Sequence, residues 1–269
     1  MRRVGDALRR YAPPTVTIAN DPGDADLQIC HVIGGYPRSL VRTKSYAVIQ
    51  YCWKTNPARE VQDWQSFWQG ARLVWSYYGD LPVHGRFYHA PLGVDGDVFK
   101  GNGADRDGVV TSGFLTGPGA EAIEEVALAA DHLRMKVFHL GPAAVAGAKW
   151  RPSPRWRAAL GISDASLAKE YGRARWVSGL RYVEGFELPV LEGLACGARP
   201  IVFSRSDMKQ WYAGHAVFVE ECSGSALVEQ LLPILSGPWY AVTEAEREIV
   251  LRRFDWKTIA EGFWKEILS

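Results

Sequence analysis

Glu184 and Glu192 stand with seven residues between them in the run 182–192, Tyr-Val-Glu-Gly-Phe-Glu-Leu-Pro-Val-Leu-Glu. Carboxylates accept hydrogen bonds from hydroxyl pairs such as those of a ribose. Free backbone N–H groups at a helix start attract phosphate. A carboxylate in a loop followed by one about a turn inside a helix would bring both functions to one place. The plainer reading is that acidic residues near a helix start only compensate the helix dipole. The first reading predicts a site for a nucleotide carrying a sugar.

The elements that must position these groups can be read from the flanking letters. Pro189 suits the first helical position, where a missing N–H costs nothing. The apolar residues 190–196 make a short helix stopped by Gly197, and residues 199–203 make the next strand. Along the whole chain, strand-like runs alternate with helical ones. In the first half the predicted strands are 16–19, 27–33, 46–51, 73–77 and 87–90, with helical or irregular connections at 38–43 and 61–70. After the Gly-rich stretch 101–108, strands are predicted at 109–113, 136–140, around Trp176, at 200–203 and at 217–219. Helices are predicted at 120–133, 167–174, 227–235 and 244–254. Such alternation predicts parallel sheets covered on both faces, twice over, with ligands at the carboxyl ends of the strands.

The motif and its neighbours resemble a known family. The segment Glu184-Gly-Phe-Glu-Leu-Pro-Val-Leu-Glu-Gly-Leu-Ala-Cys-Gly-Ala-Arg-Pro-Ile-Val resembles the E-x7-E signature of retaining GT-B glycosyltransferases of the family 4 type. Three more stretches match in order: Pro91-Leu-Gly-Val-Asp-Gly-Asp-Val-Phe99, Ser166-Leu-Ala-Lys-Glu-Tyr-Gly-Arg-Ala174 and Phe254-Asp-Trp-Lys-Thr-Ile-Ala260. The resemblance implies an α/β fold of two Rossmann-like, doubly wound domains facing across a cleft. Residues 1–103 would form the acceptor-side domain and 104–252 the donor domain, with 253–269 a closing helix crossing back to the first. It implies a hexosyl-type transferase acting with retention, by front-face attack and without a metal. No cofactor is required, the nucleotide-sugar being a co-substrate and a UDP-sugar such as UDP-glucose the expected donor. By the same resemblance Glu192 would hold the ribose, Glu184 would contact the donor sugar, and the amides of Gly185, Phe186, Glu187 and Leu188 would meet sugar or diphosphate.

Two departures from the family pattern matter. A departing diphosphate needs positive potential, yet Phe114 and Gly119 or Ala120 stand where the family places an arginine and a lysine. A charge-assisted hydrogen bond contributes about 1.5–3 kcal/mol and a helix terminus about 0.3–2 kcal/mol, so helix ends alone substitute weakly. Arg181 and Arg205 are the replacement candidates by proximity to the motif strands. Glu187 occupies the family's third-motif glycine position and adds a carboxylate beside the expected phosphate. Gly113, Gly117 and Gly119 still make a loop where backbone can approach a ligand.

Other residue types able to do chemistry lie outside these motifs. His31, followed by Val-Ile-Gly-Gly at the end of a predicted strand, could orient an acceptor hydroxyl. Asp24-Ala-Asp26 and Asp95-Gly-Asp97 have a metal-diphosphate spacing but read as structural. His84, His89, His139 and His215 have no ligand spacing. Arg38, Arg42, Lys44, Lys54 and Arg59, interleaved with Tyr36, Tyr46, Tyr51 and Trp53, suit a phosphate-bearing acceptor with stackable groups. A hydroxymethylated base in DNA, flipped toward the site, is one such acceptor; a lipid-linked or small-molecule acceptor is the alternative. A sugar-nucleotide-binding protein without turnover and an epimerase of the same fold are the rival readings.

Composition sets the remaining bounds. The 269 residues carry a formal charge of +1, which makes no global demand for a polyanionic partner. Four cysteines without a C-x-x-C pair read as reduced thiols of a cytoplasmic protein. The N-terminus lacks a signal-peptide core, and no stretch approaches the roughly 20 apolar residues of a membrane span.

Overall fold

The computed structural model describes residues 2–32, 41–51, 59–101, 105–112, 120–141, 153–182 and 185–269, with backbone alone at 22 and 59–63. The chain separates into two compact units. Residues 1–93 and 254–269 belong to the first, together with Gly185 and Phe186; residues 94–183 and 187–253 form the second. The break after Gly93 precedes the Gly-rich stretch 101–108.

The first unit is built on four parallel strands in the order β1 (Leu27–Val32), β2 (Ser45–Gln50), β3 (Leu73–Ser76) and β4 (Phe87–His89). Five of the six residues of β2 and all four of β3 are buried, the run-on pattern of strands covered on both faces. The covering helices of this unit are α1 (Arg2–Arg10), α2 (Arg59–Gln69) and α9 (Trp256–Leu268). In α1 the buried residues are Val4, Ala7 and Leu8, one helical stripe. Trp264 of α9 donates its indole N–H to the Leu8 carbonyl at 2.9 Å. Trp75 of β3 packs its ring 5.5 Å from Phe263 and donates to the Ala90 carbonyl. Residues 16–19, expected as a strand, are irregular. Ile18 there is 40% exposed, and an apolar run forms no strand without a sheet edge to join.

The second unit is a six-stranded parallel sheet in the order β10-β9-β8-β5-β6-β7. The strands are β5 (Val109–Ser112), β6 (Val137–Leu140), β7 (Trp156–Ala159), β8 (Trp176–Gly179), β9 (Arg199–Phe203) and β10 (Val217–Val219). Among the described residues its helices are α3 (Ile123–His132), α4 (Asp164–Arg173), α5 (Leu188–Ala195), α6 (Ser206–Tyr212), α7 (Ser225–Ser236) and α8 (Glu244–Arg253). The core joins Val109, Val126, Ala130, Trp176, Ile201, Phe203, Leu227 and Leu231. Strand β7 and helix α6 were not expected from sequence; each is short, and β7 is only half-buried. Among the described residues no helix is long and apolar enough to cross a membrane.

One contact fixes where the E-x7-E segment sits. Helix α5 lies directly on β8, and a Cβ added at Gly193 would come within 2.7 Å of Val177 Cγ1. Every residue of α5 after Leu188 is buried. The helix begins at Leu188 with Glu187 as N-cap, so Pro189 is its second residue and not its first. The N–H of that position also lacks an intrahelical partner, which is why proline is tolerated there. Gly197 closes the helix at φ +90°, the left-handed conformation that glycine adopts freely. Replacing Gly193 by alanine should push α5 off β8 and destabilise the protein by about 1–3 kcal/mol, read as a lowered urea midpoint. An unchanged midpoint would mean that Val177 yields and the contact is not tight.

Candidate functional site

The strand order of the second unit reverses direction between β5 and β8, one half of the sheet running out through β6 and β7 and the other through β9 and β10. In open parallel sheets this switch point, at the carboxyl ends of the strands, is where ligands bind. A small pocket lies there, lined by Thr111 and Ser112 at the end of β5, Ser178, Leu180 and Arg181 at the end of β8, and Glu121, Ala122 and Ile123 at the start of α3. The lining segments are bonded directly. Ala122 N–H donates to the Leu180 carbonyl at 2.9 Å, and Tyr182 N–H to the Ala120 carbonyl at 3.0 Å.

Arg181 is the charged centre of this pocket. Its Nε lies 2.9 Å from Glu121 Oε1 and 3.0 Å from Glu187 Oε2, and its Nη2 donates to Ser112 Oγ at 2.7 Å. All three charged side chains are at most 5% exposed. Ions so buried persist only where geometry and hydrogen bonding offset their desolvation. The carboxylate of Glu187 therefore turns inward to the guanidinium. Two carboxylates share this one cation, so Arg181 is occupied within the protein. Arg205, at the N-cap of α6, lies 3.3 Å from Asp207 and 3.6 Å from Glu221, and donates to the Tyr182 carbonyl. Both candidate phosphate cations are thus engaged by acidic residues.

The remaining motif residues fall close by along the chain. Glu192 sits on α5 and is 2% exposed. The Glu187 N–H donates to the Tyr212 hydroxyl at 3.3 Å, and that hydroxyl donates to the Glu187 carbonyl at 2.9 Å. Gly185 and Phe186 are buried, the Phe186 ring packing 5.5 Å from Tyr77 and 6.0 Å from Phe254 within the first unit. Glu184 and the glycine loop with Gly113, Phe114 and Gly119 lie outside the described residues.

In the first unit His31 stands on β1, and its Nδ1 is 2.7 Å from the Tyr51 hydroxyl. Burial drives His31 down to about 4 and holds Tyr51 well above the ordinary phenol range, so both are neutral at pH 7. Of the basic segment, Arg42 and Lys44 are exposed, while residues 33–40 and 52–58 lie outside the described residues. Tyr46 and Tyr51 were expected as stacking platforms. They are core residues at 5% and 7% exposure, with the Tyr46 hydroxyl bonded to the Phe67 carbonyl. Both flank or lie in a strand buried on its two faces, which leaves their rings no solvent side. Asp95 serves its own turn, accepting from the Asp97 N–H at 2.9 Å, as the structural reading of that spacing predicts.

Comparison with solved structures fixes the architecture. The Anabaena protein Alr3699/HepE, solved in complex with UDP-glucose, superimposes with a TM-score of 0.71 at 12% identity, over 98% of this chain and 81% of that one. The fold is GT-B. AviGT4, a glycosyltransferase involved in avilamycin A biosynthesis, gives 0.62 at 15% identity, over 98% and 87% of the two chains. Sucrose-phosphate synthase from Thermosynechococcus elongatus gives 0.67 at 16% identity, over 85% and 68%. No protein-family model matches the chain, nor does any curated protein sequence. The α/β fold with Rossmann-like parallel sheets expected from the motif resemblance is the fold observed.

Sequence reasoning missed the partners that organise this GT-B site. Glu121 was given no role in the site from sequence, yet it is one of the two acidic partners of Arg181. A usable signal was present, since an arginine directly after an apolar strand requires buried acceptors. His139 was set aside for want of ligand spacing. It is 1% exposed on β6, with Nδ1 2.8 Å from Thr111 Oγ1 and its ring 4.8 Å from that of Trp156. Among the described residues its Nε2 has no hydrogen-bond partner, and burial drives it down to about 4. The unfolded chain binds a proton below about 6.5, the ordinary histidine value, and the folded chain only below about 4. Stability carried by the neutral ring is therefore complete above pH 6.5 and is lost as pH falls from there to 4. His31 acts in the same sense. Unfolding free energy measured across this window should fall with pH, and His139→Phe should make the slope shallower by up to about 1.4 kcal/mol per pH unit. An unaltered slope would show that His139 titrates normally.

Proposed function

We propose that this protein is a retaining, metal-independent glycosyltransferase that moves a hexosyl group from a nucleotide-sugar, in the first instance a UDP-sugar, to an acceptor hydroxyl. The observation that carries the reading is Glu192, buried on a helix laid against the switch point of a GT-B sheet. A carboxylate there can accept from both ribose hydroxyls. Amides at the start of α5 other than that of Glu187, which serves the Tyr212 hydroxyl, can meet the diphosphate, and Glu184 would contact the sugar. The solved complex of the Anabaena protein with UDP-glucose supports this donor class.

In the proposed transfer the acceptor oxygen attacks the anomeric carbon from the face the diphosphate leaves. The anomeric C–O bond to phosphate breaks, and the acceptor proton passes to the departing phosphate oxygen. His31 would orient the hydroxyl, its ring held by Tyr51. The favoured acceptor bears phosphate, because Arg42 and Lys44 are exposed ahead of β2. A hydroxymethylated base in DNA is the concrete form to test. A second reading, binding of a nucleotide-sugar without turnover, is favoured by one observation: Arg181 and Arg205 both face acidic partners.

Incubation with a panel of nucleotide-sugars should release free nucleotide. Binding without release would establish the second reading. Glu192→Ala should weaken UDP binding about 10- to 100-fold, the loss of one or two hydrogen bonds to a charged acceptor; calorimetry showing unchanged affinity would remove the ribose role. For the acceptor, duplex DNA binding should weaken steeply with salt and drop with Arg42→Ala. No mobility shift at low salt would end the DNA version and leave the small-molecule or lipid-linked acceptor.

A further inference from the structure

The carbonyls that close α5 can be followed one by one. The last carbonyls of a helix have no partner within it and must find one elsewhere where they are buried. The Gly193 carbonyl accepts from the Ala198 N–H at 2.8 Å and that of Leu194 from the Gly197 N–H at 2.9 Å, a backbone closure that the left-handed Gly197 permits. The next two carbonyls go to arginines. Arg247, on α8, donates from Nε to the Ala195 carbonyl at 2.8 Å. Arg106, ahead of β5, donates from Nη2 to the Cys196 carbonyl at 2.7 Å.

Arg106 reaches further than α5. Its Nη1 donates to the Tyr171 and Ala174 carbonyls at 3.3 and 3.1 Å, so one guanidinium joins the carboxyl ends of α4 and α5. Among the described residues Arg106 has no ion-pair partner, and every bond its side chain donates goes to a carbonyl. Gly197 leaves the room for it, since a Cβ there would come within 2.5 Å of Nη2. The link to Glu192 is one turn long. Cys196, whose carbonyl Arg106 holds, donates its own N–H to the Glu192 carbonyl at 3.0 Å. At the other end of the helix the Tyr212 hydroxyl serves both the N–H and the carbonyl of Glu187. A helix of 8 residues has too few internal bonds to hold itself, so its end contacts decide where it lies.

We propose that Arg106, seconded by Arg247, locks the carboxyl end of α5 and thereby sets the Glu192 carboxylate at the ribose. Both arginines are positioning residues that act through the helix; the inference rests on the ribose reading of Glu192 above. Charge is only part of the task, although a cation at a helix end is favoured by the dipole. The planar fork of a guanidinium lets Arg106 serve both helices at once, which the point charge of a lysine cannot do.

The test measures, by calorimetry, the affinities for UDP and for deoxy-UDP, which lacks one of the two ribose hydroxyls. Wild-type protein should favour UDP about tenfold, the worth of a hydrogen bond to a charged acceptor. Arg106→Ala should weaken UDP binding about tenfold and leave deoxy-UDP within about twofold, so that the preference disappears. Arg247→Ala frees a single carbonyl and should reduce the preference by less. Equal losses for the two nucleotides in Arg106→Ala would reveal a general structural role and overturn the proposal, as would a preference kept at the wild-type value. Wild-type protein that binds neither nucleotide, or shows no preference between them, would instead defeat the ribose reading, and the proposal with it. Should Arg106→Ala not fold, Arg106→Lys replaces it. That variant keeps the charge without the fork, so its preference for UDP should still fall, and a wild-type preference would overturn the lock.

Discussion

The candidate site depends first on how closely α5 approaches β8. Gly193 leaves no side chain between helix and strand, so the helix backbone rests on Val177. An eight-residue helix is too short to be stable by propensity, and this one persists because it is buried along nearly its whole length. Burial has a chemical consequence. Glu192 cannot swing to solvent, and the start of the helix is held where the sheet ends. Position comes from packing, and function is then a matter of which polar groups that packing carries.

The charges of the second unit follow from the same burial. A guanidinium and two carboxylates are enclosed together, and each ion would be costly without the others. Arg181 therefore stabilises two acidic side chains and is not an isolated positive charge awaiting an anion. Arg205 is arranged in the same way with Asp207 and Glu221. On the donor-site reading proposed above, α5 would present backbone at its N-terminus to an anionic leaving group, an oriented dipole that needs no counter-ion. Catalysis on such a site would lean on placement of the reacting groups.

Most of the architecture could be read from the letters because parallel strands are apolar throughout and their helices repeat. β2, β3, β5 and β6 are runs of this kind, and each lies within a residue or two of its predicted position. The short, half-buried β7 carries Arg157 in its middle and gives no such signal. Residues 16–19 show the opposite failure, strand-like letters without a neighbouring strand. In the site, the backbone logic of the proline and the glycine stop was legible, since each is a local rule, whereas the inward turn of Glu187 onto Arg181 was not. The partnership of Arg181 with Glu121 was not, because sixty residues of sequence separate two side chains that only the strand order brings together. The tyrosines of the basic segment illustrate the same limit. Aromatic residues beside charges look alike on a surface and in a buried strand, and Tyr46 and Tyr51 belong to the latter.

The first unit adds a constraint on the proton. A histidine with a value of about 4 binds no proton at neutral pH, and if it took one in a transition state it would release it at once. Tyr51, held neutral by burial, cannot accept it either. His31 is therefore suited to orienting a hydroxyl and not to storing its proton. In the transfer proposed here, a phosphate oxygen gaining charge as the anomeric bond breaks is the stronger base present. That oxygen lies on the same face as the incoming acceptor when the configuration is retained. The neutral His31–Tyr51 pair is in keeping with the proposed front-face transfer, in which the leaving group takes the proton.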